Sequence, residues 1–413
     1  MPLMLSMLTW AFFFSVLYFE VLLLIGFVER LRTDTKKETR GLAKHPKVEI
    51  VVPCFNEQHT VAATIHSLLA LEYPKKKLRI HVVDDGSTDG TKDSLKEFKD
   101  HAQVTISHKE NGGKHTALNY ALATTNADII GCLDADSFVE SSALFESLKV
   151  FETTGAMAVT PAIKIEKADS IFRNMQKAEY EVGMLFRRVF ADANAQFITP
   201  GPFSLYRKEV FESLGEFRSA HNTEDLEMGL RMQEAGFLIE NAPRSVVYTR
   251  APKTLKPLFK QRVRWAYGFL RNAGPYKHLF FNTKNVYLGF FILPLTLVSI
   301  VAAAYMPFMV LKNTAHAAVT KAVEFQTIGL SAFYFNPLTI DWYTITPTSL
   351  TYVTLALFFL TGILVLAGKH IGGQKVHVDT GLVLYILLYG IFGPLWLTKA
   401  LFDAVVTKKN SWR

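Results

Sequence analysis

Leu78-Arg79-Ile80-His81-Val82-Val83-Asp84-Asp85-Gly86-Ser87-Thr88-Asp89-Gly90-Thr91 is the stretch that decides the fold. A β-rich apolar run stops abruptly at two carboxylates and a string of turn-forming residues. A buried strand that delivers polar side chains to the rim of a sheet has this pattern. Upstream, Lys47 to Val52 reads as a second strand and Thr60 to Leu71 as the helix joining the two, a βαβ unit. Downstream the alternation repeats: strand Val104 to Ser107, helix His115 to Thr124, strand Asp128 to Leu133, helix Ser141 to Phe151, strand Met157 to Ile165. Such alternation predicts an α/β domain with a mostly parallel sheet, helices on both faces, and ligands at the carboxyl ends of its strands. The next helix, Ile171 to Phe190, carries Ile171, Met175, Ala178, Val182, Leu185 and Val189 at alternating four- and three-residue steps, a packing stripe.

Outside this domain the composition changes. Leu3 to Val28 contains one charge, Glu20, and is long enough at 1.5 Å per residue to cross a hydrocarbon core of roughly 30 Å. The run lacks a basic leader and a small-residue cleavage site, which favours a retained anchor over a signal peptide. Val286 to Leu311, Leu350 to Gly368 and Gly381 to Val406 are three more candidate spans. Val323 to Trp342, broken by Asn336, Pro337 and Asp341, reads as an interfacial or re-entrant segment. The expected organisation is a membrane helix over 1–29, a catalytic domain over 30–250, amphipathic helices over 251–285 and a membrane region over 286–413.

Arg30, Arg32, Lys36, Lys37 and Arg40 follow the first span, so the positive-inside tendency puts the domain in the cytoplasm and the N-terminus outside. Three further spans then leave the basic tail of Lys408, Lys409 and Arg413 on the outside, against the same tendency. The formal net charge of +8 suits contact with anionic membrane lipid and an anionic donor. No base-stacking or groove-reading motif supports nucleic-acid binding. Cys54 and Cys132 lie in predicted strands without metal-ligand spacing and read as small core residues of a reduced compartment.

Three acidic clusters fall at element ends. Asp84-Asp85 has a bland reading as a capped turn. Asp134-Ala135-Asp136 follows a fully apolar strand, and its two carboxylates can reach one hard divalent cation. Thr223-Glu224-Asp225 opens the helix Leu226 to Ala235, where a capping threonine with acids in the first turn is also ordinary helix chemistry. Leu255 to Leu270 reads as an amphipathic helix in the membrane interface, with Lys256, Lys260, Arg264 and Arg271 opposite its apolar face.

Taken together, Pro53-Cys54-Phe55-Asn56-Glu57, Asp84-Asp85, Asn111-Gly112-Gly113-Lys114, Asp134-Ala135-Asp136, Thr223-Glu224-Asp225 and Gln261-Arg262-Val263-Arg264-Trp265 stand in an order that resembles family-2 glycosyltransferases. The resemblance covers about Val48 to Arg271 and is to the membrane-integrated synthases of cellulose, chitin, hyaluronan or poly-N-acetylglucosamine. It implies a GT-A type fold and inverting transfer from a UDP-sugar, UDP-N-acetylglucosamine or UDP-glucose, with Mg2+ or Mn2+. Pro53, Glu57, Asp84, Asp85, Lys114, Asp134, Gln261 and Arg264 would bind the donor. Asp136 would ligate the metal, and Asp225, beside Glu224, would be the general base. Trp265, Gly201 and Pro202 would line the acceptor. Thr-Glu-Asp where hyaluronan and chitooligosaccharide synthases usually carry Gly-Asp-Asp brings the chain nearer the cellulose and poly-N-acetylglucosamine enzymes. The implied product is a growing β-linked polysaccharide exported across the plasma membrane; a single-sugar transfer to a lipid acceptor is the alternative.

Overall fold

The computed structural model describes residues 2–33, 42–329 and 349–406. Its centre is a sheet built from β1 (Val48–Cys54), β2 (Leu78–Asp84), β3 (Val104–His108), β4 (Ile129–Cys132), β5 (Ser137–Val139), β6 (Ala158–Ile165), β7 (Ser204–Arg207) and β8 (Ile239–Thr249). Among the described residues the strand order is β3-β2-β1-β4-β7-β6-β8-β5. β3, β2, β1 and β4 run parallel, as do β6 and β8. β7 is antiparallel to both β4 and β6, and β5 is antiparallel to β8. The sheet is therefore mixed: the parallel expectation holds for the first four strands, and β7 reverses direction in its middle. β5 and β8 were not predicted, because β5 has three residues and β8 is interrupted by Pro243 and Arg244.

The alternation along each strand explains the layers. Ile50, Val52, Ile80 and Val82 face one way and pack with Ile65, Leu68, Leu144 and Leu148 of helices Val61–Leu69 and Ala143–Thr154. Val51, Val83 and Ile130 face the other way, onto helices Lys114–Leu122 and Glu224–Glu234. Each fully buried Ile, Val or Leu contributes roughly 1.5–3 kcal/mol, so this two-sided burial fixes the strand register. Cys54 and Cys132 are free, buried thiols whose pKa burial pushes well up, which suits packing and not reactivity.

Among the described residues, four helical stretches are long and apolar enough to cross a membrane: Met7–Arg32, Tyr287–Ile328, Ser349–Ile371 and Thr380–Val406. Glu20, the charge inside the first, accepts a 2.6 Å hydrogen bond from Thr361 of the third, so it faces a neighbouring helix. The second stretch continues past Leu311 as helix Leu293–Ile328; Val323–Ile328, read as interfacial, belongs to it. Residues 330–342 of that segment lie outside the described residues, as do Lys36, Lys37, Arg40 and the basic tail. Arg30 donates to Asp192 at 3.4 Å, at the end of helix Ile171–Asp192.

Helix Ile171–Asp192 is the seam between the domain and the apolar helices. Gly368 lies so close to it that an added Cβ would stand 2.0 Å from the Glu181 carbonyl oxygen. Beside it Lys369, 1% exposed, reaches Asp379 at 2.8 Å, and Lys177 reaches the same carboxylate at 2.7 Å. Arg188 of the same helix donates to the Asn241 carbonyl of β8 at 2.8 Å, so one helix carries sheet contacts and membrane-helix contacts together.

Candidate active site

Asp84-Asp85 and Asp134-Ala135-Asp136 stand at the ends of the parallel strands β2 and β4, while Thr223-Glu224-Asp225 opens helix Glu224–Glu234 and is joined to the β4 cluster through Lys114. The loops after β1 and β2 are stitched together. The Asn56 backbone N–H donates to Ser87 at 2.9 Å, Thr88 donates its backbone N–H to the Asn56 side chain at 2.9 Å, and the Glu57 backbone N–H donates to Thr91 at 2.8 Å. Asn56 adopts φ 58°, a left-handed conformation that asparagine tolerates and that turns the chain after Pro53.

Asp84 is fully buried. It accepts the Ser87 backbone N–H at 2.9 Å and pairs with His108 Nδ1 at 2.9 Å. Burial raises its pKa, but the Ser87 hydrogen bonds and His108 outweigh burial and hold the carboxyl below the usual aspartate range. Asp85 is spent internally: one oxygen takes Lys109 at 2.6 Å and the Gly112 N–H at 3.0 Å, the other the Gly113 N–H at 2.8 Å. Its visible task is to shape the Gly112-Gly113 loop, which starts helix Lys114–Leu122 with Gly113 at φ 94°, open to glycine at little cost.

Lys114, the first residue of that helix, bridges the Asp134 and Glu224 clusters. Its Nζ lies 2.6 Å from Asp134 and 3.0 Å from Glu224. Burial opposes the charged ammonium, but Asp134 and Glu224 outweigh it and raise the pKa well above the lysine range. Gly201 packs over this pair: a Cβ there would meet Lys114 Nζ at 2.5 Å and Asp134 Oδ2 at 2.8 Å. Thr199, before Pro200-Gly201-Pro202, donates its hydroxyl to the Asp225 carbonyl at 2.8 Å. The Thr199–Pro202 segment therefore joins the Asp134 and Asp225 clusters.

Asp136 is pushed up to about 7, first by burial and then by the neighbouring charges of Asp134 and Glu57. Asp225 is pushed up to about 6 by burial and by Glu224. Glu224 itself falls, because Lys114 outweighs burial. Among the described residues no three His, Cys, Asp or Glu side chains converge into a metal cage. Crowded carboxylates around Asp136, short of a cage, fit a hard cation held by one or two side chains and completed by donor phosphate oxygens.

Helix Leu255–Ala273 closes the site, and its buried face differs from the one expected. Arg262, unassigned from the sequence, is 3% exposed, pairs with Glu179 at 2.6 Å and stacks 4.2 Å above the Trp265 ring. Trp265 is 38% exposed, leaving part of its surface for a ligand. Gln261 accepts from Arg262 at 2.7 Å, and Arg264 donates to the Asn222 carbonyl. The residues before the Thr223-Glu224-Asp225 motif are unusual: Ala220, His221 and Asn222 have φ of 40°, 58° and 62° in succession. Left-handed backbone costs alanine or histidine roughly 1–2 kcal/mol each, so neighbours must hold this turn. His108, Thr199, Arg262 and Asn272, which donates to Thr223 at 3.1 Å, were missed because each acts on a partner distant in sequence. Only Arg262 carried a signal: a charge on the inner side of the helix repeat.

The family described as "Glycosyltransferase like family 2" matches residues 45–268, more than half of the chain. A poly-beta-1,6-N-acetyl-D-glucosamine synthase of Staphylococcus epidermidis is 27% identical over 359 residues, covering 84% of each chain. Its namesake in Staphylococcus aureus strain COL is 30% identical over 246 residues, 57% of this chain and 59% of that one. Among solved structures, a mannosyltransferase of Pyrobaculum calidifontis, in complex with GDP-Man and Mn2+, superposes with a TM-score of 0.60 at 18% identity over 98% of this chain and 99% of that one. The chain belongs to the family-2 glycosyltransferases and is a hexosyltransferase on a GT-A-like fold.

Proposed function

We propose that this chain builds a β-linked N-acetylglucosamine polymer from UDP-N-acetylglucosamine. The observation that carries the reading is the similarity to the S. epidermidis synthase over 84% of both chains, well beyond the length of the family match. Thr223-Glu224-Asp225 agrees with it.

In this reading the residues divide the work. Pro53, Glu57, Asp84 and the loop shaped by Asp85 cradle the nucleotide; Lys114, Asp134, Gln261 and Arg264 approach the diphosphate and sugar. A guanidinium fork suits phosphate oxygens. Asp136 would hold Mg2+ or Mn2+, which neutralises charge developing on the departing diphosphate. Asp225 accepts the acceptor hydroxyl proton as that oxygen attacks the anomeric carbon opposite the diphosphate, which inverts the centre and turns an α-linked donor into a β-linkage. Glu224, paired with Lys114, keeps a second negative charge beside Asp225 and so strengthens it as a base. Trp265 offers an aromatic face to the acceptor sugar, which Gly201 and Pro202 would also line. The domain, spanning 30–250 with interfacial helices to 285, works at the cytoplasmic face of the plasma membrane, and the apolar helices lead the product outward.

The test is a screen of UDP-glucose, UDP-N-acetylglucosamine and UDP-glucuronate for UDP release by the purified full-length protein, with the product digested by linkage-specific hydrolases. UDP-N-acetylglucosamine turnover yielding high polymer cleaved by a β-1,6-specific hexosaminidase is the expected result. A single lipid-extractable sugar would replace this reading with glycolipid synthesis.

A further inference from the structure

We propose that Gly268 and Asn272 are positioning residues for the Thr223-Glu224-Asp225 turn, an inference that rests on Asp225 acting as the base. Arg264, Gly268 and Asn272 are spaced four residues apart on helix Leu255–Ala273 and so share one face. All three touch the same turn. Arg264 holds the Asn222 carbonyl. Gly268 leaves room for Thr223: a Cβ at 268 would stand 2.3 Å from Thr223 Cγ2 and 2.4 Å from its Oγ1. Asn272, 5% exposed, donates to Thr223 Oγ1 at 3.1 Å and reaches the Ala220 carbonyl at 3.4 Å.

Glycine in mid-helix is unfavourable for helix formation, and Gly268 does not need glycine's conformational freedom there, having an ordinary φ. What it provides is the absence of a side chain where Thr223 packs. The turn it supports runs through Ala220, His221 and Asn222 in left-handed backbone with no glycine, a conformation held from outside. His221 also meets the ring of Tyr267 edge-on, with centroids 5.9 Å apart. Asp225 begins two residues after Thr223, so displacing Thr223 displaces the carboxylate that must meet the acceptor hydroxyl. The donor cradle after β1 and β2 makes no use of Gly268 or Asn272. Their loss should therefore act chiefly on turnover, reaching the donor only indirectly through the Lys114–Glu224 pair.

The experiment uses full-length protein in lipid nanodiscs with UDP-N-acetylglucosamine, measuring kcat, donor KM and thermal unfolding. Gly268→Ala should lower kcat by roughly tenfold to hundredfold, the scale of an ångström-level misplacement, with a much smaller change in donor KM. Thr223→Ser added to Gly268→Ala removes the Cγ2 methyl and should recover part of kcat. Asn272→Ala introduces no clash, and the thermal unfolding measurement shows whether it folds as wild type; it should lower kcat in the same sense. Wild-type kcat in both single variants would overturn the proposal, as would a rise in donor KM matching the loss of turnover. Asp225→Asn run in parallel separates the two readings. Retained turnover there removes the base assignment itself, whereas lost turnover there with normal Gly268→Ala and Asn272→Ala removes only the positioning role.

Discussion

The two halves of the active-site rim are built on opposite principles. After β2 the two acids are satisfied: Asp84 by Ser87 and His108, Asp85 by Lys109, Gly112 and Gly113. After β4 and around Thr223, carboxylates crowd one another, and Asp136 and Asp225 rise to about 7 and about 6. A satisfied carboxylate is a fixed piece of scaffold; a crowded, buried one is poised to take a cation or a proton. In the proposed function this difference gives recognition to the first half and chemistry to the second.

Changes in the second half should therefore be the more damaging. Asp136→Ala should abolish turnover and the response to divalent cations together, measured as UDP release across a Mg2+ and Mn2+ titration; retained activity would remove the metal assignment. Trp265→Ala should lower sugar transfer about tenfold or more while sparing donor hydrolysis, since a stacking platform serves the acceptor. Equal loss of both would make Trp265 structural.

The pH dependence tests the same contrast. Asp225 must be ionised to accept a proton, and its pKa is raised to about 6. kcat/KM should accordingly fall as pH drops through about 6, a limb that donor binding by the Asp84 half should not share, because Asp84 is held below the usual range and stays ionised there. The smallest effect is expected for His108→Ala, which removes one partner of Asp84 and leaves the Ser87 bonds. Donor KM should rise by about fivefold to tenfold, the worth of one charge-assisted hydrogen bond, with kcat little changed.

The sequence was most legible where strand pattern and chemistry coincide. β2 ends at Asp84 and β4 just before Asp134, so period and motif point to one rim. β8 was invisible because Asn241, Pro243 and Arg244 break its apolar run, and its place beside β6 depends on a register shift at Pro161 and Ala162. The three internal donors on Asp85, from Lys109, Gly112 and Gly113, were not legible, because sequence shows that a carboxylate is present but not what it pairs with. The helical wheel of Leu255 to Leu270 put Trp265 on the apolar face, whereas the fold buries Arg262 and leaves Trp265 partly open; the Glu179 pairing that makes this favourable comes from a helix about eighty residues away.

The most direct test of the division between recognition and chemistry is Asp225→Asn in the full-length protein, with donor affinity by calorimetry and turnover by UDP release on one preparation. The structure predicts donor affinity near wild type and turnover down by about a hundredfold or more, the usual contribution of a positioned base. Turnover near wild type, or a loss of donor affinity equal to the loss of turnover, would contradict it.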